Sequence, residues 1–252
     1  MSGAFALQDA AVRRGRALVL DGVSVAAEAG EVLGVVGANG AGKTTLLRAA
    51  LGLARLERGR AWLGGREVWT LSDAERAAQA AYLPQERRVG WSLPAWRVAS
   101  LGAPHLTPRA ARERAHEALA RVGLARLADR GVLEMSGGER GRVLLARLLA
   151  AHAPLLMADE PGAGLDPDAA LLALEVLRDE ASRGAAVVLT LHDLSLAARA
   201  CDRLVVLAHG RVIADAPPAE ALSPAVLAQA FGLEGRLEDT SAGPALAARR
   251  KG

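Results

Sequence analysis

Gly37-Ala38-Asn39-Gly40-Ala41-Gly42-Lys43-Thr44 is the stretch that decides the fold. Gly37 and Gly42, with four residues between them and Lys43-Thr44 behind, fit the phosphate-binding loop pattern. The context agrees: Glu31 to Val36 reads as a buried strand, and Thr44 to Leu53 as the helix that follows. Glycines let the backbone curl so that successive amides point inward at phosphate oxygens, and the helix turns its positive N-terminal end on the same anion. Lys43 is then placed to reach the terminal phosphates of a nucleotide, and the Thr44 hydroxyl to ligate magnesium.

Working outward, short apolar runs alternate with amphipathic or alanine-rich stretches, the texture of an α/β architecture with a largely parallel central sheet. Leu18 to Val25 reads as an early strand and Ala81 to Pro84 as a short one. Val68 to Ala80 is mixed, with a capping box at Ser72 and Glu75. Pro94, Pro104 and Pro108 punctuate the next segment, after which Ala110 to Val122 and Arg140 to Ala151 run as helices. This is expected to be a helical insertion, about residues 89–152, in a core of about 1–88 and 153–231. Sheet texture returns at Leu155 to Asp159, Ala186 to Leu191 and Leu204 to Leu207, and His209-Gly210 turns into a hairpin with Arg211 to Ala214. From about Gly232 the pattern thins, so 232–252 is expected to be a frayed, flexible tail.

Composition narrows the function classes. With 252 residues, 51% of them hydrophobic, the chain can bury a large core. No run approaches the roughly 18 apolar residues that cross a bilayer, and Met1 to Ala10 lacks a secretory pattern. Cys201 is the only cysteine, which fits a reducing cytosol and excludes an internal disulfide. The net charge of +3 comes from arginines scattered among carboxylates, and aromatics are 3%, too few for a base-stacking platform; no nucleic-acid partner is expected. Lysine occurs only at positions 43 and 251, which makes Lys43 conspicuous. His105, His116, His152 and His209 lack metal-ligand spacing. Cys201 sits in an apolar helical stretch and suits a small buried hydrophobe. Trp62 and Trp69 suit a sheet lobe, and Trp91 and Trp96 are expected to face a partner.

Two further motifs carry chemistry. Leu155-Leu156-Met157-Ala158-Asp159-Glu160 is an apolar strand ending in two acids, which taken alone is as often a solvated strand end. Beside a phosphate loop, a second parallel strand brings Asp159 to the magnesium shell and Glu160 past the sheet edge, where it can polarise water. Met135-Ser136-Gly137-Gly138-Glu139 precedes a helix; Ser136 and Glu139 form a capping box, and the same opening of a helix is an anion site.

The order of phosphate loop, Gln85 after a strand, Ser-Gly-Gly-Glu, Asp-Glu, Gly164-Leu165-Asp166 and His192 after a further strand resembles the nucleotide-binding subunit of ATP-binding cassette (ABC) transporters. The motifs span residues 37–192, and the resemblance covers roughly 5–231. It implies a P-loop NTPase, RecA-like core with an N-terminal antiparallel β lobe and the helical subdomain, one nucleotide-binding domain over 1–231. It also implies that two copies sandwich two ATP molecules with Mg2+. The nucleotide would then be held by Gly37, Ala38, Asn39, Gly40, Ala41, Gly42, Lys43, Thr44 and Thr45, with Asp159 and Gln85 on the magnesium beside Thr44. Glu160 is the implied general base, His192 a γ-phosphate contact, and Asp166 a link between copies; Ser136, Gly137, Gly138 and Glu139 would touch the γ-phosphate held by the other copy.

Tyr82-Leu83-Pro84-Gln85, the Gly102-Ala103-Pro104-His105 element and Leu191-His192-Asp193-Leu194 are similar to bacterial importer ATPases for iron-siderophore, haem and cobalamin. That branch implies permease subunits in the membrane, a periplasmic or surface substrate-binding protein, and a peripheral location on the cytoplasmic face. The alternatives are an exporter ATPase or a soluble cassette ATPase acting on nucleic acid or ribosomes. Three stretches depart from the family pattern: Arg13 and Arg14 stand where relatives carry an adenine-stacking aromatic, Met135 replaces leucine, and Gly162-Ala163-Gly164 replaces a more polar run.

Overall fold

The computed structural model describes residues 3–86, 90 and 92–251. Val89, the expected start of the insertion, and Trp91, expected at a partner surface, lie outside the described residues.

The chain opens with β1 (Phe5–Arg14) antiparallel to β2 (Ala17–Ala27). Sequence alternation does not reveal β1, because its register with β2 shifts between Leu7 and Ala10 and again between Ala10 and Val12. An inserted residue breaks the period of two, and Asp9 at the shift has a φ of 48°. β3 (Val32–Gly37) leads through the glycine loop into α1 (Lys43–Ala50). β4 (Arg58–Leu63) then pairs with β1, and β5 (Arg66–Glu67) with β4, completing an antiparallel lobe in the order β2-β1-β4-β5. The Ser72–Glu75 capping box starts α2 (Asp73–Gln79), which runs into β6 (Ala80–Leu83).

Three helices follow: α3 (Ala95–Ser100), α4 (Pro108–Arg121) and α5 (Gly137–Ala150). Thr107 caps α4 by accepting from Ala110 N–H, with Pro108 in the first turn where no N–H is needed. Trp96 packs partly buried against this helical core, with the Arg112 guanidinium 4.6 Å from its ring centre. A broad apolar ring gains more from burial against alanine-rich helices than from solvent.

The chain then alternates through β7 (Leu155–Asp159), α6 (Pro167–Ser182), β8 (Ala186–Thr190), α7 (Leu194–Ala200) and β9 (Arg203–Ala208). A turn with positive φ at both His209 and Gly210 reverses into β10 (Arg211–Ala216), and α8 (Pro218–Ala221) and α9 (Pro224–Phe231) follow. The six-stranded sheet has the order β10-β9-β3-β8-β7-β6, parallel except for β10. Its inner strands are apolar on both faces. Leu155 and Met157 face α1 and the β lobe, whereas Leu156 and Ala158 face the helical subdomain and α6. Continuous apolar runs rather than alternation are what such doubly covered strands require. Cys201 packs on Gly34 at the same sheet, where an added Cβ would lie 2.7 Å from its sulfur, and burial pushes the thiol up to about 12.

Where a frayed tail is expected, residues 233–250 form two ordered strands. β11 (Leu233–Thr240) and β12 (Gly243–Arg250) form an antiparallel hairpin in which Leu237 faces Leu246 and Glu234 faces Arg249. Leu233, Leu237 and Leu246 join the main core from one face, while Glu234, Arg236 and Glu238 point out. The alternation is present but carried by few residues, and its stability depends on the helices beneath it.

Candidate nucleotide site

The parallel strands β3, β6, β7 and β8 end at one edge of the sheet, and the residues after each end build the site. At β3, Gly37 is needed for close approach, because a Cβ there would sit 2.4 Å from the carbonyl oxygen of Leu207. Gly42, with φ of 109°, caps α1 without a side-chain hydrogen bond, and the first turn of the helix carries no acid. The leading amides of α1 therefore meet neither a capping side chain nor a first-turn carboxylate, the arrangement that receives an anion. Lys43 is buried, its Nζ donating to the carbonyls of Gly37 at 2.8 Å and Ala38 at 3.3 Å. Burial lowers its pKa, opposed by the nearby charges of Glu160 and Asp159.

At the end of β7, Asp159 is 1% exposed. The Thr190 hydroxyl donates to its Oδ1 at 2.5 Å, and the Tyr82 hydroxyl to its Oδ2 at 3.4 Å. Burial and the Asp159 charge raise the Tyr82 phenol well above its ordinary range, so it remains a donor. The next residue turns sharply: Glu160 has a φ of 53°, a region uncommon for any residue but glycine. Such backbone costs of order 1–3 kcal/mol and persists where its surroundings over-determine it. Here the Glu160 N–H donates to Thr190 Oγ1 at 2.9 Å, Gln85 Nε2 donates to Glu160 Oε2 at 3.0 Å, and His192 Nε2 contacts Glu160 Oε1.

Gln85, Glu160 and His192, distant in sequence, are thus brought onto one carboxylate. Thr190 and Tyr82 complete the group and are not singled out as site residues by sequence motifs. Thr190 did carry a signal: it is the one polar residue of an otherwise apolar strand, Ala186 to Thr190, and it stands in register beside Asp159.

The Ser136 to Glu139 motif caps α5 as a reciprocal box: Glu139 N–H donates to Ser136 Oγ at 3.1 Å, and Ser136 N–H to Glu139 Oε2 at 2.7 Å. That backbone donor is the main reason the Glu139 carboxyl titrates below its ordinary range. Among the described residues no hydrogen bond or ion pair joins Ser136–Glu139 to the loop 37–45. Ser136 and Gly137 are exposed instead, and a Cβ on Gly138 would lie 4.0 Å from Asp166 Oδ2. Asp166 caps α6 by accepting from Ala169 N–H at 2.9 Å. At the turn between β1 and β2, Arg13 is held by Glu57, Nε to Oε2 at 2.7 Å, and donates to the Arg16 carbonyl, while Arg14 is exposed.

Among the described residues no group of three or more His, Cys, Asp or Glu could hold a metal by itself, and no helix is long and apolar enough to cross a membrane. The hard oxygen donors of Asp159 and Thr44, with the Gln85 amide, nevertheless suit magnesium, which takes few protein ligands and completes its shell with water and phosphate.

Comparison with known proteins gives the family. The family model described as ABC transporter matches residues 20–163. The cobalamin import ATP-binding protein BtuD of Halobacterium salinarum is 44% identical over 218 residues, 84% of this chain, which spans only 55% of that longer protein. The hemin import ATP-binding protein HmuV of Pseudomonas aeruginosa is 42% identical over 237 residues, 90% of this chain and 92% of that one. Among solved structures, an ATP binding subunit of an ABC transporter aligns with a TM-score of 0.77 at 28% identity, over 85% of this chain and 90% of that chain. A chain of an ABC transporter in an inward-facing conformation aligns at 0.83 and 22% identity, over 98% of this chain and 97% of that one, and shares its fold. With the loop, the two acids and their supporting strands in place, the chain belongs to the ABC transporter family.

Proposed function

We propose that this chain is the ATP-hydrolysing subunit of an importer for a metal chelate of the haem, cobalamin or iron-siderophore class. It would work as a pair of copies beneath separate permease subunits, on the cytoplasmic face of the membrane. The observation that carries the hydrolytic reading is the convergence of Gln85 and His192 on the Glu160 carboxylate, one residue beyond buried Asp159. The importer reading is supported by the hemin and cobalamin relatives.

In this reading the loop amides of 37–45 and Lys43 bind the triphosphate, and Lys43 exchanges its two loop carbonyls for phosphate oxygens. Thr44, Asp159 and Gln85 would hold magnesium, which neutralises phosphate charge when bound. Glu160 accepts a proton from water as the water oxygen bonds to the γ-phosphorus and the bridging P–O bond breaks, leaving ADP and phosphate. Tyr82 and Thr190 occupy both Asp159 oxygens with neutral donors and so keep that carboxylate aimed. Arg13 being tied to Glu57, Arg14 offers the guanidinium plane that stacks on the base.

The exposed Ser136-Gly137 opening of α5, with Asp166 beside it, serves the nucleotide of the second copy. The permease would seat in a cavity of about 470 Å³ between α2, β6, α3 and α5, lined by Ala78, Tyr82, Leu101, His105, Arg147 and others. Leu101, half exposed at its rim, is an apolar anchor for a membrane protein's cytoplasmic segment. Glu160→Gln tests the hydrolytic reading: ATP binding stays and hydrolysis falls by about 10² to 10⁴. Near-normal turnover in a phosphate-release assay overturns it.

A further inference from the structure

His192 is a demanding residue to position. Its side chain is about half exposed, at 47%, and it meets Glu160 from the loop that follows β8. Its direction is set by the backbone on either side, and on the C-terminal side that backbone is α7. Asp193 caps α7 by accepting from Ser195 N–H at 2.8 Å and Leu196 N–H at 3.0 Å, so His192 and the helix move as one piece.

α7 is short, seven residues, and its outer face is covered by the 233–250 hairpin. Two polar contacts pin it there. Leu246 N–H donates to Ser195 Oγ at 2.9 Å, and Arg199 Nε donates to the Pro244 carbonyl at 2.8 Å. The Arg199 stem crosses Gly243, where an added Cβ would stand 3.4 Å from its Cγ; Gly243 also needs its φ of 95°. Leu196, Leu237 and Leu246 extend the same core beneath these bonds. Both side-chain anchors therefore sit on the helix and reach main-chain groups of β12, within two turns of His192.

We propose that Ser195 and Arg199 are positioning residues: through the main chain of β12 they hold α7, and with it the His192 imidazole, against Glu160. This rests on the proposed reading of Glu160 as the general base with His192 held against it. Small displacements of a catalytic group are expensive, about 10²-fold for an ångström.

The test is steady-state ATP hydrolysis by the full chain with Ser195→Ala and Arg199→Ala combined. The expected result is a fall in kcat of about tenfold with KM for ATP unchanged, since the phosphate loop is untouched. Ser195→Thr, which keeps the acceptor oxygen, restores kcat. In a His192→Ala background the same pair of substitutions has no further effect, because what they position is gone. Ser195→Ala alone gives the readout at smaller size if the double variant does not fold. The proposal is overturned if the double variant keeps full kcat while His192→Ala is slow, if KM rises in step with the loss, or if the loss is as large without His192. Should His192→Ala itself turn over normally, the proposed role of His192 beside Glu160 fails first, and the positioning role with it.

Discussion

The two ends of the parallel sheet both carry ionisable groups but arrange them on opposite plans. At the N-terminal ends of β3 and β9, charges cancel in place: Arg203 bridges Glu31 at 2.7 Å and Asp215 at 2.5 Å, and Arg178 meets Asp202 at 2.8 Å. Asp202 also accepts from Val32 N–H, so the network stitches strand ends together. At the C-terminal ends, Asp159 and Glu160 lie side by side, with the Tyr82 and Thr190 hydroxyls on Asp159 and the Gln85 amide and His192 ring on Glu160. The nearby ammonium of Lys43 hydrogen-bonds to carbonyls. Ion-paired charge joins strand ends at one edge, whereas the adjacent carboxylates of the other edge are met by hydroxyl, amide and imidazole groups. The same residue types therefore form ion pairs at one edge and, at the other, the carboxylate cluster on which the proposed hydrolysis rests.

Substitutions at each edge sharpen that contrast. Lys43→Ala removes the cation of the reactive edge and should weaken ATP binding by about 10- to 100-fold, the range for losing charged hydrogen bonds; unchanged affinity in calorimetry would contradict the assignment. Thr190→Val deletes the hydroxyl shared by Asp159 and Glu160, and kcat should fall by about tenfold or more, with Thr190→Ser restoring it. At the opposite edge Arg203→Ala should cost about 1–3 kcal/mol of folding stability while kcat holds; a denaturant midpoint that does not move would show that the network is not structural.

The smallest effect is a titration. Arg66 and the Ser72 backbone hold the Glu75 carboxyl at about 2, below its unfolded value of roughly 4.3. A depressed carboxyl stabilises the fold above the unfolded pKa, and that contribution is lost as pH falls from about 4.3 toward 2. Acid unfolding of wild type should therefore be steeper across that window than that of Glu75→Gln. Parallel curves would show that the capping box adds nothing.

Much of this was legible from spacing alone. The glycines around Lys43 specify a loop that only a strand and a helix can flank, and the Ser72 and Ser136 boxes mark helix starts because their partners lie three residues away. Local hydrogen bonds leave local signatures. β1 was hidden because its bulges scramble the alternation, and the closing hairpin because Leu233, Leu237 and Leu246 are too few to announce a strand without the core they join. The packing of Trp96 is hidden for a similar reason: its environment is made by α4, which follows it in the chain.

What the amino-acid order determined by itself was the set of groups proposed to bind phosphate and move a proton, since those depend on residue type and short spacing. Only the tertiary structure decided which of them meet. The parallel register set Thr190 beside Asp159, the left-handed turn at Glu160 swung its carboxylate to Gln85 and His192, and the hairpin closed over α7. Each contact joins strands or loops far apart in the chain, and pairing of that kind is selected by the burial of whole faces, which no short window of sequence contains.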